Sequence, residues 1–463
     1  MLLLPDLAKR DTNQAHPWKA LAESAVDSSV LSTSLPQLNL RKPDLEMDTD
    51  EESTTRVLFV ATSLGEGGIE RLSLTMASGL LVNHNIEVAF VCSPGSYLEK
   101  NAQACGIRTE PLTLRNSGDI RAMRQLAEHI IKFNADIVHV HSRRDYVPAA
   151  VAMHMVRARI RRESRAHELS TDTHATPLGL DGSQSQRGPR LLIHSHLDKP
   201  LGMPRCLARR LFSSCADAVI TVSDAVKDRL VAVHGFAPSF VRVLHNGIDL
   251  DNFLLAGSKL AKQSRLATRK ELSIPPDALV IGVVGRLNAK GQADLLNGAG
   301  PLLRQHRSLW IVMVGPDGEP GDMERLREEA TAQGIAAHVV LTGARDDIPE
   351  LLPAFDVLVQ LPKSESFGLA LVEAMASGLP TITTDVGGCS EVVVNESTGL
   401  IVPHGDQSKL QEALKRLLYA PDAAVQRITM GLEGRKVACS RFSIDRQVEN
   451  LANWYADLAA VRL

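Results

Sequence analysis

Short runs of Val, Ile and Leu alternate with helical stretches along most of this 463-residue chain, and that alternation limits its fold more than any other feature. Six runs lie in the first half: V-L-F-V-A (57–61), I-E-V-A-F-V (86–91), D-I-V-H-V-H (136–141), L-L-I-H-S-H (191–196), A-V-I-T-V-S (218–223) and V-R-V-L-H-N-G-I-D (241–249). Six more follow Pro275-Pro276: L-V-I-G-V-V-G (279–285), L-W-I-V-M-V-G (309–315), H-V-V-L-T (338–342), D-V-L-V-Q (356–360), P-T-I-T-T (380–384) and G-L-I-V (399–402). Such runs suit strands buried on both faces of a parallel sheet, and the intervening helices supply the crossovers. The expected class is α/β: two Rossmann-like domains whose parallel sheets face a central cleft. A disordered tail is expected over 1–54, ending in an acidic run from Asp44 to Glu52. A first domain over 55–253, a linker over 254–275 and a second domain over 276–443 follow. The last stretch, 444–463, reads as an amphipathic helix crossing back to the first domain.

The segment L-P-K-S-E-S-F-G-L-A-L-V-E-A-M-A-S-G-L-P (361–380) concentrates the polar chemistry. It reads as a strand end, a polar loop and a helix over 367–377, stopped by Gly378 and Pro380. Glu365 falls in the loop, and Glu373 about two turns into the helix. Between them the helix start offers unpaired N–H groups and a positive dipole end, which suit a phosphate. Each carboxylate can accept hydrogen bonds from sugar hydroxyls. Taken alone, both glutamates are better explained as solvated or ion-paired. In G-R-L-N-A-K-G (285–291), Arg286 and Lys290 directly follow a strand, a fork and a point charge suited to a diphosphate. The first strand runs into Gly65, Gly67 and Gly68, which do not match the G-x-G-x-x-G fingerprint. Glycine there lets a backbone approach a ligand, although from this loop alone a tight strand-to-helix turn is the favoured reading.

Two H-x-H pairs, His139 with His141 and His194 with His196, each share one face of a strand. A metallohydrolase would need further ligands on later strands, and the second half supplies His338 and His404 but no obvious ligand cluster. The metal reading is therefore the minority one. Capping of strand ends explains three of the four. His196, just beyond a strand's C-terminal end, sits where open α/β sheets bind ligands. After Val156, five arginines (157, 159, 161, 162 and 165) precede a polar stretch, read as a helix end entering a flexible basic insertion over about 157–190. Peripheral contact with anionic headgroups and an ordinary solvated loop explain that cluster equally well. A net charge of −3 and 4% aromatic residues argue against a nucleic-acid partner. The six cysteines form no C-x-x-C pair, which points away from zinc ribbons and disulfides and toward a reducing compartment. With no signal-like or spanning apolar stretch, a cytoplasmic location is expected.

Six motifs now stand in order: G-G-I-E-R (67–71), H-S-H (194–196), N-G-I-D (246–249), G-R-L-N-A-K-G (285–291), E-S-F-G-L-A-L-V-E (365–373) and D-V-G-G-C-S-E (385–391). Together they resemble the retaining glycosyltransferases of family 4, which have the GT-B fold, over roughly residues 56 to 460. The resemblance implies a nucleotide-sugar donor held chiefly on the second domain. It implies a glycan or lipid-linked glycan acceptor in cell-surface polysaccharide synthesis, with the enzyme peripheral at the cytoplasmic membrane face. By that resemblance Arg286 and Lys290 hold the diphosphate, Glu365 touches the transferred sugar and Glu373 bonds the ribose. Backbone amides at Phe367, Gly368 and Leu369 meet sugar and phosphate. Gly67 and Gly68 close over the phosphates, and His196 lies beside the reaction centre. It further implies front-face attack, with the leaving phosphate taking the acceptor proton, and no metal or other cofactor. E-S-F-G replaces the commoner E-G-F-G, and the insertion leaves the acceptor open. Two other readings stand beside it, a sugar-nucleotide epimerase of the same fold and a non-catalytic sugar-nucleotide scaffold or sensor. A phosphorylase would need a cofactor lysine and a much longer chain.

Overall fold

The computed structural model describes residues 54–65, 67–83, 85–169, 188–196, 212 and 214–460. Apart from Thr54, the expected tail lies outside these residues, as do 170–187 of the expected insertion and 461–463 of the last helix.

The first lobe runs β1 (Thr55–Ala61), α1 (Gly68–Asn83), β2 (Ile86–Cys92), α2 (Tyr97–Ala104), β3 (Arg108–Pro111), α3 (Ile120–Phe133), β4 (Ile137–Val140), α4 (Tyr146–Leu169), β5 (Arg190–Ser195), β6 (Ala218–Thr221), α5 (Asp224–His234) and β7 (Val241–Val243). Its strands are all parallel, in the order β3-β2-β1-β4-β5-β6-β7. The second lobe runs α6 (Lys259–Glu271), β8 (Leu279–Val284), α7 (Gln292–Gln305), β9 (Leu309–Val314), α8 (Asp322–Ala332), β10 (Val339–Gly343), α9 (Ile348–Leu351), β11 (Val357–Gln360), α10 (Leu369–Ala376), β12 (Thr381–Thr384), α11 (Cys389–Val392) and β13 (Gly399–Val402). Helices α12 (Gln407–Tyr419), α13 (Ala423–Arg441) and α14 (Ile444–Ala460) complete the chain. The second sheet is also parallel, in the order β10-β9-β8-β11-β12-β13. Two doubly wound sheets therefore form the framework. In each, strand order reverses once beside the first strand, between β1 and β4 and between β8 and β11. Ligands of open α/β sheets settle at such reversals, beyond the strands' carboxyl ends.

The apolar runs form the cores. Val57, Leu58, Phe59 and Val60 are fully buried in the first sheet, as are Ile281, Ile311 and Leu358 in the second. Strand β3 has no counterpart in the apolar pattern. Its R-T-E-P sequence pairs with β2 alone, and an edge strand needs no apolar run on both faces. Helix α14 packs on the first lobe: Val448 stands where a side chain on Gly79 of α1 would fall, and Tyr455 is buried beside Phe59 and Phe90. Its Tyr455 hydroxyl lies 2.6 Å from Nδ1 of His139.

Three expectations need correction. The basic stretch read as the start of a flexible insertion is helical to Leu169, since Arg and Ala are good helix formers. Arg157 is tied down: it donates to the carbonyls of Pro189 and Cys215, both at 2.9 Å, and pairs with Asp217. Asp217 also pairs with Arg190 at 2.9 Å, so this end of the stretch is fixed to β5 and β6. Second, the expected linker contains α6, capped by Ser258, and it belongs to the second lobe. Arg269 of α6 is buried, bonds the carbonyls of Ala354 and Ala278 and pairs with Asp356 at 2.9 Å. Third, the helix after the E-S-F-G loop starts at Leu369, two residues later than read. Gly368, at φ +101°, makes the turn into it.

Candidate active site

Both strand-order reversals carry the polar residues singled out in the sequence. At the second-lobe reversal, the loop after β8 presents Arg286 and Lys290, and the loop after β11 presents Glu365. Arg286 is exposed. Lys290 forms an ion pair with Glu365, so the expected diphosphate cation and sugar-binding acid hold each other here. The Glu365 loop is braced from behind. Gly388 donates its N–H to the Glu365 carbonyl at 3.1 Å, and Thr384 donates to the Pro362 carbonyl at 2.8 Å. Gly387 has φ +52°, and a Cβ on it would lie 1.8 Å from the Glu365 carbonyl oxygen. The D-V-G-G segment thus fits only because it lacks side chains there.

Beyond this loop, Phe367 and Gly368 are buried, and Leu369 opens α10. Glu373, partly covered on that helix, has its carboxyl pushed up to about 7 by desolvation, against the charges of Arg71 and Lys290. Arg71 belongs to α1 of the first lobe, so the two lobes meet at this acid. Gly68 is the first residue of α1, and a Cβ on it would come to 4.0 Å from the Leu369 side chain. The N-terminal ends of α1 and α10 thus approach one another across the cleft. Each presents unpaired N–H groups and a positive dipole end, and Arg71, Arg286 and Lys290 add full charges nearby. Such a convergence favours an anion. Arg71 lay within a motif noted in the sequence, but its proximity to Glu373 depends on how the lobes meet.

The first-lobe reversal is different in character. Beneath it lie His139, His141, His194 and His196, all buried. Their rings pack as a block, with centroids 4.1 Å apart for His139–His141 and 3.9 Å for His194–His196. Strand capping does not describe them. Nδ1 of His141 faces Nε2 of His196 at 3.2 Å, while Nε2 of His141 and both nitrogens of His194 have no hydrogen-bond partner among the described residues. The pairs meet because β4 and β5 are neighbours in register, with His139 opposite Leu192. Desolvation, then neighbouring imidazoles, holds His139, His141 and His194 well below the usual histidine range. Desolvation alone brings His196 down to about 3. All four are neutral near pH 7. Beside them Asp145 accepts from the Thr62 amide at 2.9 Å and from its hydroxyl, fastening the loops after β1 and β4. Burial raises the Asp145 carboxyl to about 6, against those two bonds.

His139, His141 and His194 bring one nitrogen each within 4.8 Å of the others. The rings of His139 and His194 are stacked within 5° of parallel, at 5.3 Å, so their in-plane lone pairs run side by side rather than converging. No carboxylate in that set offsets a dication, whose burial without a counter-charge is expensive. Asp224, His245 and Glu391 also cluster. There Glu391 accepts from the amides of Asp224 and Ala225, both at 2.8 Å, and pairs with His245 at 3.2 Å. Burial raises the Glu391 carboxyl, but the His245 and amide bonds outweigh it and hold the group below its ordinary value. Glu391 caps a first-lobe helix from the second lobe. With Ser223, which donates to the Ser366 carbonyl at 2.6 Å, it clasps the floor of the cleft. Nothing in the sequence signals that clasp beyond Glu391's place in D-V-G-G-C-S-E.

Two family models match the chain: Glycosyltransferase Family 4 over residues 66–252 and Glycosyl transferases group 1 over residues 264–431. Among curated proteins, the D-inositol 3-phosphate glycosyltransferase of Saccharomonospora viridis is 29% identical over 273 residues, covering 57% of this chain and 61% of that protein. The enzyme of the same name from Salinispora tropica is 31% identical over 274 residues, covering 57% of this chain and 55% of its own length. The chain thus spans less than two thirds of the length of these relatives. Among solved structures, Anabaena HepE in complex with UDP-glucose superposes with a TM-score of 0.69 at 20% identity, over 87% of this chain and 99% of its own. That likeness concerns the fold.

Proposed function

The chain belongs to the family 4, group 1 glycosyltransferases, and from that premise we propose that it moves a sugar, with retention, from a nucleotide-sugar donor to an acceptor hydroxyl. The observation that carries this reading is the meeting of two helix N-termini, Gly68 of α1 and Leu369 of α10, beside Arg286, Lys290 and Glu365.

Breaking a sugar–diphosphate bond builds negative charge on the leaving phosphate and positive charge at the anomeric carbon. Arg286, Lys290 and the amides at the start of α10 supply donors already in place for the first. The diphosphate takes over Lys290 from Glu365, and the freed carboxylate turns to the sugar hydroxyls. Glu373, when ionised, accepts from the ribose diol. His196, being neutral, bonds the sugar without adding charge opposed to the one developing there. Gly67 and Gly68 close the first lobe over the phosphates. The leaving phosphate accepts the acceptor proton on the face it departs from. Glu365 and Glu373 are not the acid and nucleophile of a retaining hydrolase, whose carboxylates flank the scissile bond. No metal enters this scheme, because the cations and helix ends already neutralise the diphosphate.

The donor we favour is a UDP-sugar, as bound in the HepE structure. For the acceptor we retain a glycan or lipid-linked glycan at the cytoplasmic membrane face. The relatives' names instead place a phosphorylated cyclitol in the acceptor trial. The first experiment is a thermal-shift screen against UDP-, GDP-, ADP- and dTDP-sugars. A donor at a hundred times its dissociation constant adds about 2.7 kcal/mol of stability. A shift with UDP-sugars alone supports the reading. No shift with any of them, in folded protein, sinks it.

A further inference from the structure

We propose that His141 is a positioning residue for His196. It donates from Nδ1 to Nε2 of His196 and thereby fixes the active-site imidazole as the tautomer with its own proton on Nδ1. This rests on the proposed role of His196 beside the transferred sugar.

The argument is one of proton placement. The two nitrogens lie 3.2 Å apart and both rings are neutral, so a single proton lies between them. If His196 donated, neutral His141 would carry its proton on Nε2. That nitrogen is buried and has no hydrogen-bond partner among the described residues, so the arrangement leaves a buried N–H unsatisfied there. If His141 donates, its Nε2 is only an unfilled lone pair in the same place. A buried orphan N–H is the rarer and costlier defect, so the second arrangement is preferred. His196 then accepts at Nε2 and must keep its proton at Nδ1. The hydrogen bond at one imidazole nitrogen dictates the state of the other.

The packing holds the planes of the rings, and a half-turn of either ring about its Cβ–Cγ bond would put a carbon in place of the facing nitrogen and lose the 3.2 Å contact. His196 is stacked on His194 at 3.9 Å and 25°, and His141 lies against His139 at 4.1 Å and against Phe59 at 4.8 Å. His139 is held in turn by Tyr455, which α14 brings across from the C-terminal end. With the rings fixed, the tautomer is the remaining variable. Its consequence for the reaction is direct. Nδ1 is the nitrogen of His196 left to meet a sugar oxygen, and it offers a hydrogen-bond donor with no net charge. The opposite tautomer would offer a bare lone pair, which repels an oxygen without a proton to give.

The test is nitrogen–proton correlation NMR on the full chain labelled with 15N-histidine, with the His196 signals assigned from His196→Gln. In ligand-free wild type, His196 should show a protonated Nδ1 and an unprotonated Nε2. His141→Phe keeps a ring in place but removes the donor, and should move His196 toward the Nε2-protonated form. His141→Asn, whose amide can still donate, should hold it in the wild-type form. A protonated Nε2 on wild-type His196 overturns the proposal, as does an unchanged tautomer in His141→Phe. The wild-type spectrum decides even where that variant fails to fold. The kinetic readout is UDP release from UDP-glucose with water as acceptor. There His141→Phe should lower kcat about tenfold with KM little changed, and His141→Asn should recover most of it. Failure of the underlying reading looks different: His196→Gln would turn over at the wild-type rate while the tautomer assignment stood.

Discussion

The two strand-order reversals face one cleft with opposite chemistry. The second lobe brings ionisable groups: Arg286 exposed, Lys290 paired with Glu365, and Glu373 with its carboxyl raised to about 7. The first lobe brings neutral groups packed in place: four stacked imidazoles, Asp145 fastened to Thr62, and a glycine loop. On the proposed reading a diphosphate draws cations away from other partners, and exposed Arg286 and half-buried Lys290 lie within its reach. A sugar with growing positive charge needs neutral donors that do not move, and burial supplies them. The proposed division of labour between the lobes thus follows from burial as much as from residue type.

Removing charge from the second lobe should have the largest effect. Arg286→Ala should lower turnover by about 10²–10³-fold, the range for loss of one preorganised donor to developing negative charge, with an unchanged melting temperature. In the neutral lobe His196→Ala should cost about 10-fold, a single hydrogen bond. The comparison sharpens with a donor whose leaving group is less basic. It should rescue the Arg286 variant and leave the His196 variant as slow as before. Equal rescue of both would break the division of labour.

Glycines separate the lobes next. Alanine at Gly387 would put its Cβ 1.8 Å from the Glu365 carbonyl at φ +52°. Gly387→Ala should therefore destabilise the fold by about 1–3 kcal/mol and displace Glu365. Alanine at Gly68 meets Leu369 only at 4.0 Å, an ordinary contact. Gly68→Ala should leave the melting temperature nearly unchanged, within ~0.5 kcal/mol, while weakening UDP-glucose binding. A Gly68→Ala protein that binds as well as wild type would remove the first-lobe loop from the phosphate site.

The sheets were legible because parallel strands buried on both faces leave apolar runs that need no partner to be seen. Strand β3 was not, since R-T-E-P on a sheet edge has no such run. The charged site was partly legible for the same local reason: Arg286 and Lys290 directly follow a strand, and Glu365 directly precedes a helix. Their ion pair was not, because it joins loops after β8 and β11. The histidine block was hidden in register. That His139 and His141 stack with His194 and His196 depends on β4 lying beside β5, and one sequence does not state which strands pair. The Arg-rich start of the expected insertion misled for another reason. Its composition resembles a solvated loop, yet Arg157 finds Asp217 sixty positions along the chain.

Glu373 stands where the lobes meet, and its effect on ligand affinity is smaller than either turnover loss above. Desolvation raises its carboxyl from 4.5 to about 7, so the folded chain holds this proton more tightly than the unfolded one. By linkage, its contribution to stability is fully present below about 4.5 and is lost as pH rises to about 7. The loss is of order 1–3 kcal/mol, and Glu373→Gln should abolish that part of the pH dependence of urea unfolding. Binding should run the opposite way. Uridine has no phosphate to titrate, and its ribose hydroxyls bond an ionised carboxylate better than a neutral acid. Its affinity should rise about fivefold between pH 6 and 8, the ~1 kcal/mol separating a charged from a neutral hydrogen bond. Glu373→Gln should flatten the curve. A wild-type affinity independent of pH would place the ribose elsewhere, and would leave Glu373 as a buried acid that merely answers Arg71 across the cleft.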